Sequence, residues 1–221
     1  MFQEWFRSNF SKKFILIGFS MAACTQVQAA LPVLLEEVQK EYKKSAGIEA
    51  EFEQLTEIKS TKTSKKAQGK IWIKHPNKLR WETISPDQNI LVSDGKFFWF
   101  YTPPFEKGDR GQVIIKKTAQ IQTRFLNALL SGSFDFSNSK TQVESKSANV
   151  FLLRPGANTA GDVKTAEVTI NVLTKKIEKV SLTHTSGNET SIQLKDIKLV
   201  NKLADSMFQF VPDRNTDQIR E

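Results

Sequence analysis

The sequence predicts a mainly β fold with two helices, an α+β chain organised around one strongly curved antiparallel sheet. Three observations carry that expectation. Short alternating segments succeed one another closely and are punctuated by Gly, Pro, Asn and Lys turn residues. Only two segments show helical spacing instead. Beyond the N-terminal segment no linker or internal repeat divides the chain, and 221 residues suit a single domain with a real core.

Residues 1–29 read as a secretory signal. Arg7, Lys12 and Lys13 precede an apolar run, Phe14 to Ala23, that is too short to span a bilayer. Val27-Gln28-Ala29 places small residues at −3 and −1, so cleavage is expected before Ala30. The expected domains are therefore a 1–29 signal peptide and an exported 30–221 functional domain. Residues 1–29 carry Glu4 against Arg7, Lys12 and Lys13, a net +2, so +6 of the formal +8 remains. Cys24 is the one cysteine, and cleavage would leave a secreted domain without a disulfide. A rival reading takes Met21-Ala22-Ala23-Cys24 as an imperfect lipobox, with Met where Leu is usual; the soluble reading ranks ahead of it. Export argues against nucleic acid as the partner of the basic charge. Lys59, Lys62, Lys65, Lys66 and Lys70 concentrate that charge locally, either as a solvated loop or as a contact for anionic headgroups or an acidic partner.

Leu31, Leu34, Leu35, Val38 and Tyr42 fall on one helical face, with Pro32 in the first turn and Gly47 as a stop. Strands are expected over 49–58, 69–75, 78–84, 90–93 and 97–101, with 59–68 as a polar turn or mobile loop. Asp94-Gly95 marks a hairpin between the last two. A second helix is expected over 119–131, capped by Thr118 and ended by Gly132, with Ile121, Phe125 and Leu129 in one stripe and Leu126 and Leu130 beside it. Further strands are expected near 141–145, 149–154, 166–172, 177–184, 189–199 and 206–210, about eleven or twelve in all.

Catalytic chemistry has little to build on. His75 and His184 are the two histidines, and with Cys24 removed neither a zinc nor a thiol site is expected. No nucleophile elbow, zinc-protease helix, P-loop or dinucleotide fingerprint occurs. Asp87 and Asp94 sit in turn contexts, where Asp usually binds local backbone. The expectation is a binding protein with no cofactor and no metal, not an enzyme.

Phe is abundant at 16 residues and Tyr scarce at 2, which fits either a rich core or an apolar cavity. Phe97-Phe98-Trp99-Phe100-Tyr101 puts aromatics on both faces of one strand, whereas a sheet packed on one side alternates. Either both faces are covered, or one lines an apolar cavity under a lid.

Several blocks are similar to the LolA family of periplasmic lipoprotein carriers. They are Phe52-x-Gln54, then 69–81 (GKIWIKHPNKLRW), Leu91-Val92-Ser93-Asp94-Gly95-Lys96 leading to Trp99-Phe100-Tyr101-Thr102-Pro103, and Phe208-Gln209-Phe210-Val211-Pro212. The resemblance implies an incomplete antiparallel β-barrel of about eleven strands, with a helical lid over an apolar cavity for lipoprotein acyl chains. It implies cargo received from an inner-membrane LolCDE-like ABC transporter and passed to an outer-membrane LolB-like receptor, by a protein expected to be monomeric. On strand parity, Phe52, Ile71, Ile73, Leu79, Trp81, Trp99 and Tyr101 are the candidates for the cavity. Ile121, Phe125, Leu126 and Leu129 are the candidates for the lid. Family members typically carry Arg before the Pro that follows His75, where it holds the lid shut; His75 is thus the lid-tether candidate, with fewer donors and a pH-dependent charge. The runner-up is a LolB-like receptor anchored through Cys24. A periplasmic sensor like the RseB proteins would need a further C-terminal domain, and an enzyme using the same cavity lacks nucleophile–base candidates.

Overall fold

The computed structural model describes residues 32–117, 124–131, 134, 136, 140–156 and 161–220. The first helix, α1 (Val33–Lys44), starts after Pro32 and ends at Ser45, whose extended backbone turns the chain into the sheet. Leu35, Val38 and Tyr42 form its buried stripe, as their spacing requires. Gly47 does not stop this helix. It opens the first strand, where a Cβ would lie 2.1 Å from the Ile73 carbonyl oxygen; close backbone approach, not helix termination, demands glycine there.

Six strands come next: β1 (Gly47–Ile58), β2 (Thr63–Lys74), β3 (Lys78–Ser85), β4 (Asn89–Ser93), β5 (Phe97–Thr102) and β6 (Gly111–Lys117). After the short helix α2 (Arg124–Leu130) come β7 (Thr141–Ser145), β8 (Val150–Pro155), β9 (Val163–Asn171), β10 (Lys176–His184) and β11 (Glu189–Val200). A 3-10 turn at Asp205–Phe208 leads to β12 (Thr216–Arg220). All twelve strands belong to one sheet, ordered β12-β6-β5-β4-β3-β2-β1-β11-β10-β9-β8-β7. Neighbours are antiparallel except β12, which runs parallel to β6. The sheet is not closed: β12 and β7 are its two edges. These residues lie in one unit, Leu31–Glu221; the signal segment 1–29, Cys24 and Ile121 lie outside the described residues.

Local chemistry explains the turns. In the β4–β5 hairpin Gly95 takes a positive φ of 95°. The Asp94 carboxylate accepts the Lys96 and Phe97 amides at 2.7 and 2.8 Å, an Asx-type closure that makes Asp-Gly the turn of choice. Gly69 faces Phe52 across the β1–β2 ladder. A Cβ there would collide with the Glu82 carbonyl and come within 2.9 Å of the Phe52 ring, so this glycine lets an aromatic cross the strand pair.

The structure departs from the expected strands in three places. The polar stretch 59–68 is mostly strand: only the turn before Thr63 is irregular, and Thr63 to Gln68 continue the ladder with β1. Its side chains are largely exposed, so apolar alternation is missing although the backbone is paired. The stretch 206–210 is not a strand; it includes the end of the 3-10 turn, which tucks Phe208 inward. Finally, β6 and β12 are additional to the expected strands, and β12 is held by backbone pairing to β6 with mostly exposed side chains.

Two apolar layers result. The main core packs α1, α2 and the strands of β1–β3 and β8–β11, from Leu35 and Tyr42 through Phe52, Ile71, Leu129 and Phe151 to Ile192. Val92, Val113, Ile115, Leu203 and Phe208 are also buried but stand outside that cluster. They form a second patch on the opposite sheet face, under the chain around the 3-10 turn.

Candidate ligand cavity

Sheet register decides which side chains share a face. Ile71, Trp81, Leu91 and Phe100 are successive cross-strand partners on β2, β3, β4 and β5, and all four line one cavity of about 770 Å³. Ile73 and Leu79, the next pair along the same face, line it too. On its far side stand Val163 of β9, Leu182 of β10 and Ile192 of β11. Strands as distant in sheet order as β5 and β9 can border one space only if the sheet curls around it. Leu126, Asn127 and Leu130 of α2 close it on another side.

The volume is that of a small-molecule or lipid pocket, with an apolar strand wall and nearly as many polar as apolar residues around it. Several of the polar residues adjoin in one region, where Thr56 stands opposite Lys65 and Thr190. Gln54 and Thr56 of β1, Lys65 and Lys66 of β2, and Asp162, His184 and Thr190 all contribute to it. His184 Nδ1 meets Asp162 Oδ2 at 3.0 Å, and its Nε2 meets Thr190 Oγ1 at 3.1 Å. This carboxylate–imidazole–hydroxyl chain has the order of a hydrolase triad. It lacks the setting of one. Thr190 lies inside β11, paired with Thr56 on one side and Leu182 on the other, so the amides around it serve the ladders, not an oxyanion. The chain is a hydrogen-bonded polar anchor in the polar part of the lining.

The expected cavity residues divide. Ile71, Ile73, Leu79 and Trp81 line the space. Phe52 stands behind it, fully buried with its ring centroid 4.3 Å from that of Trp81. Trp99 and Tyr101 are on the other face: they pair with Val92 and Ile90, and Tyr101 stacks on Phe210 at 5.0 Å. Their neighbour Phe100 takes the cavity position instead. Five aromatics in a row carry no alternation, so parity there is readable only through the partner strand.

Of the expected lid residues, Leu126 borders the cavity, while Phe125 and Leu129 point into the core. The Phe125 ring meets Phe134 at 5.2 Å, and Phe134 meets Phe136 at 5.1 Å, so aromatic edges brace α2. Among the described residues, the His75 side chain bonds α1 and not α2. Its Nε2 donates at 3.1 Å to the Tyr42 carbonyl in the last turn of α1, which also accepts the Ser45 amide and hydroxyl. The same turn is tied to the sheet by the Tyr42 hydroxyl, which accepts the Ile177 amide at 2.9 Å; burial pushes that phenol up to about 12. Sequence reasoning does not reach Leu91, Phe100, Asn127, Leu130, Asp162, His184 or Thr190. Trp81 leads to the first two once register is known, but nothing in the pattern signals the polar group.

An open, curled sheet with a helix across an apolar cavity defines a half-barrel binding protein. The crystal structure of an uncharacterized conserved protein from Thermus thermophilus shares this fold, with a TM-score of 0.50 at 13% identity over 84% of this chain and 98% of that one. The family model described as outer membrane lipoprotein carrier protein LolA matches residues 43–211, and the chain belongs to the LolA family. An outer-membrane lipoprotein carrier protein of Photorhabdus laumondii is 31% identical over 184 residues, 83% of this chain and 86% of that protein. One from Haemophilus influenzae is 30% identical over 202 residues, 91% of each.

Proposed function

We propose that this protein carries lipoproteins through the periplasm, holding their acyl chains in the cavity bounded by Ile71, Ile73, Leu79, Trp81 and Leu126. It takes them from a LolCDE-like transporter at the inner membrane and yields them to a LolB-like receptor at the outer membrane. The observation that carries the reading is the 770 Å³ apolar cavity in a chain of the LolA family. The protein acts as a monomeric carrier, not a catalyst. Residues 1–29 serve as the signal that directs it to the periplasm, and cleavage before Ala30 removes Cys24.

Energetics favour a shuttle. Each buried CH₂ is worth about 0.8 kcal/mol, so several long chains in a rigid apolar hole would scarcely leave. Here α2 offsets part of that gain, because Leu126 and Leu130 occupy wall that cargo must share. His75 supports the arrangement indirectly, by fixing the end of α1 against the sheet. Cargo then moves to a better-fitting acceptor without nucleotide hydrolysis at that step.

The test is recovery of the tagged protein from native periplasm, followed by intact mass spectrometry. A chain beginning at Ala30 with acylated lipoproteins bound is expected. A lipidated Cys24 would make it the membrane-anchored receptor instead, and a clean chain without cargo after crosslinking would remove the carrier reading.

A further inference from the structure

The β1–β2 hairpin outruns the sheet on one side. The last β2 residue paired with β3 is Gln68, opposite Ser85, whereas the ladder with β1 continues to Thr63. Thr63 to Ala67 therefore form an arm about 15 Å long beyond the end of β3. Every side chain from Lys59 to Lys66 is exposed. Three lysines crown the arm: Lys62 in the turn, with a positive φ of 53°, and Lys65 and Lys66, which successive strand positions turn to opposite faces. Lys59, on the β1 side, is neutralised by Glu57 and Glu189 at 3.4 and 3.2 Å. Among the described residues no carboxylate pairs with Lys62, Lys65 or Lys66, so they repel one another with no gain to the fold. Lys65 and Lys66 also border the cavity, at the end where Pro86, Asp87 and Asn89 stand around the β3–β4 turn. Ile84 is 50% exposed at the end of β3, beside the root of the arm.

We infer that this arm docks the protein on an anionic phospholipid surface, with Lys62, Lys65 and Lys66 against the headgroup phosphates and Ile84 at the level of the interface. The chemistry of the arm favours a lipid surface over an acidic protein. Protein interfaces are depleted in Lys and enriched in aromatic residues and Arg, whose planar fork fixes direction. Residues 59–68 hold only Lys, Ser, Thr, Ala and Gln. Flexible ammonium groups on both faces of a strand suit smeared charge that needs no register, and each adds about fivefold to affinity for such a surface. Docking by the arm turns the end of the cavity that it borders towards the bilayer. The inference goes beyond the carrier reading and does not depend on it, since it concerns the surface the protein meets, whatever the cavity holds.

The test is co-sedimentation of the protein, purified from the periplasm, with vesicles at low salt. Vesicles of equal parts phosphatidylcholine and phosphatidylglycerol are compared with phosphatidylcholine alone. The parent is expected to bind the anionic vesicles, to leave the neutral ones, and to be released by added salt. Lys62→Gln/Lys65→Gln/Lys66→Gln should bind roughly a hundredfold more weakly with unchanged melting, since all three side chains are exposed. Lys40→Gln/Lys43→Gln/Lys198→Gln removes the same charge at the other end of β1 and β2, where Lys198 faces Glu49 and the last turn of α1 meets His75. It should stay within about threefold of the parent. Binding of the parent to both vesicles alike or to neither, or equal losses in the two variants, overturns the docking arm. Retention of the parent by immobilised polyglutamate without binding to anionic vesicles would give the arm to an acidic protein and also overturn the lipid surface. No readout uses cargo, so each of these outcomes leaves the carrier reading standing.

Discussion

The two faces of the β3–β5 region are built from neighbouring residues and end in different states. On one face Val92 is fully buried, with Val113 and Ile115 on the adjacent β6 almost as deep. The chain around the 3-10 turn lies over this face: Lys74 donates to the Leu203 carbonyl at 2.8 Å, Arg80 donates to that of Met207 at 3.2 Å, and Phe210 stacks on Tyr101. On the other face Trp81 and Leu91 are half-buried and Phe100 is 41% exposed. Their apolar surface borders open volume. Apolar area already covered by protein is stability; apolar area left facing a hole is stability withheld for a ligand.

Substitutions can break this comparison. Phe208→Ala should have the largest effect, about 3–5 kcal/mol of stability in urea unfolding, with little change in fatty-acid affinity of the folded fraction. Tyr42→Phe should cost about 1–3 kcal/mol by leaving the Ile177 amide unpaired. It should also flatten the alkaline limb. With the folded phenol at about 12 against 10 unfolded, the parent's contribution is complete below pH 10 and lost as pH rises towards 12; melting from pH 9 to 12 checks this. Phe100→Ala should cost about 1 kcal/mol or less, yet weaken a fluorescent fatty acid several-fold, the reverse of Phe208→Ala. If both lost stability and affinity in parallel, the two faces would not be separable.

The smallest effect concerns the exposed Asp205, held by the Lys74 and Lys78 ammonium groups at 2.7 Å each. Those hydrogen bonds pull its carboxyl from 3.8 down to about 2. Its contribution is present above pH 3.8 and lost as pH falls towards 2. Asp205→Asn should make acid unfolding slightly less steep in that window and leave neutral-pH binding alone.

Where alternation pairs with burial, the sequence is readable: spacing puts Ile71, Ile73, Leu79 and Trp81 on one face, and the family resemblance is what marks that face as the cavity side. The reading fails where one of the two signals is absent. Trp99 and Tyr101 fall on the wrong face because every neighbour is aromatic. The Thr63–Gln68 part of β2 and all of β12 escape notice because ladder hydrogen bonds, blind to side-chain type, hold them. The polar anchor joins Asp162, just before β9, to His184 at the end of β10 and Thr190 in β11, and α2 brings Asn127 to the same cavity. Such a meeting depends on register and curl, which no local window contains.

A closed barrel has its radius fixed by strand number and shear, because every strand must meet its neighbours around the full circle. This sheet ends at β12 and β7 without joining them. No such condition applies to it. Its curvature can relax through small changes of twist spread over twelve strands, with no hydrogen bond broken. The girth of the cavity is thus an elastic variable, and a single carrier can admit ligands of different bulk by the gradual flexing of one continuous wall.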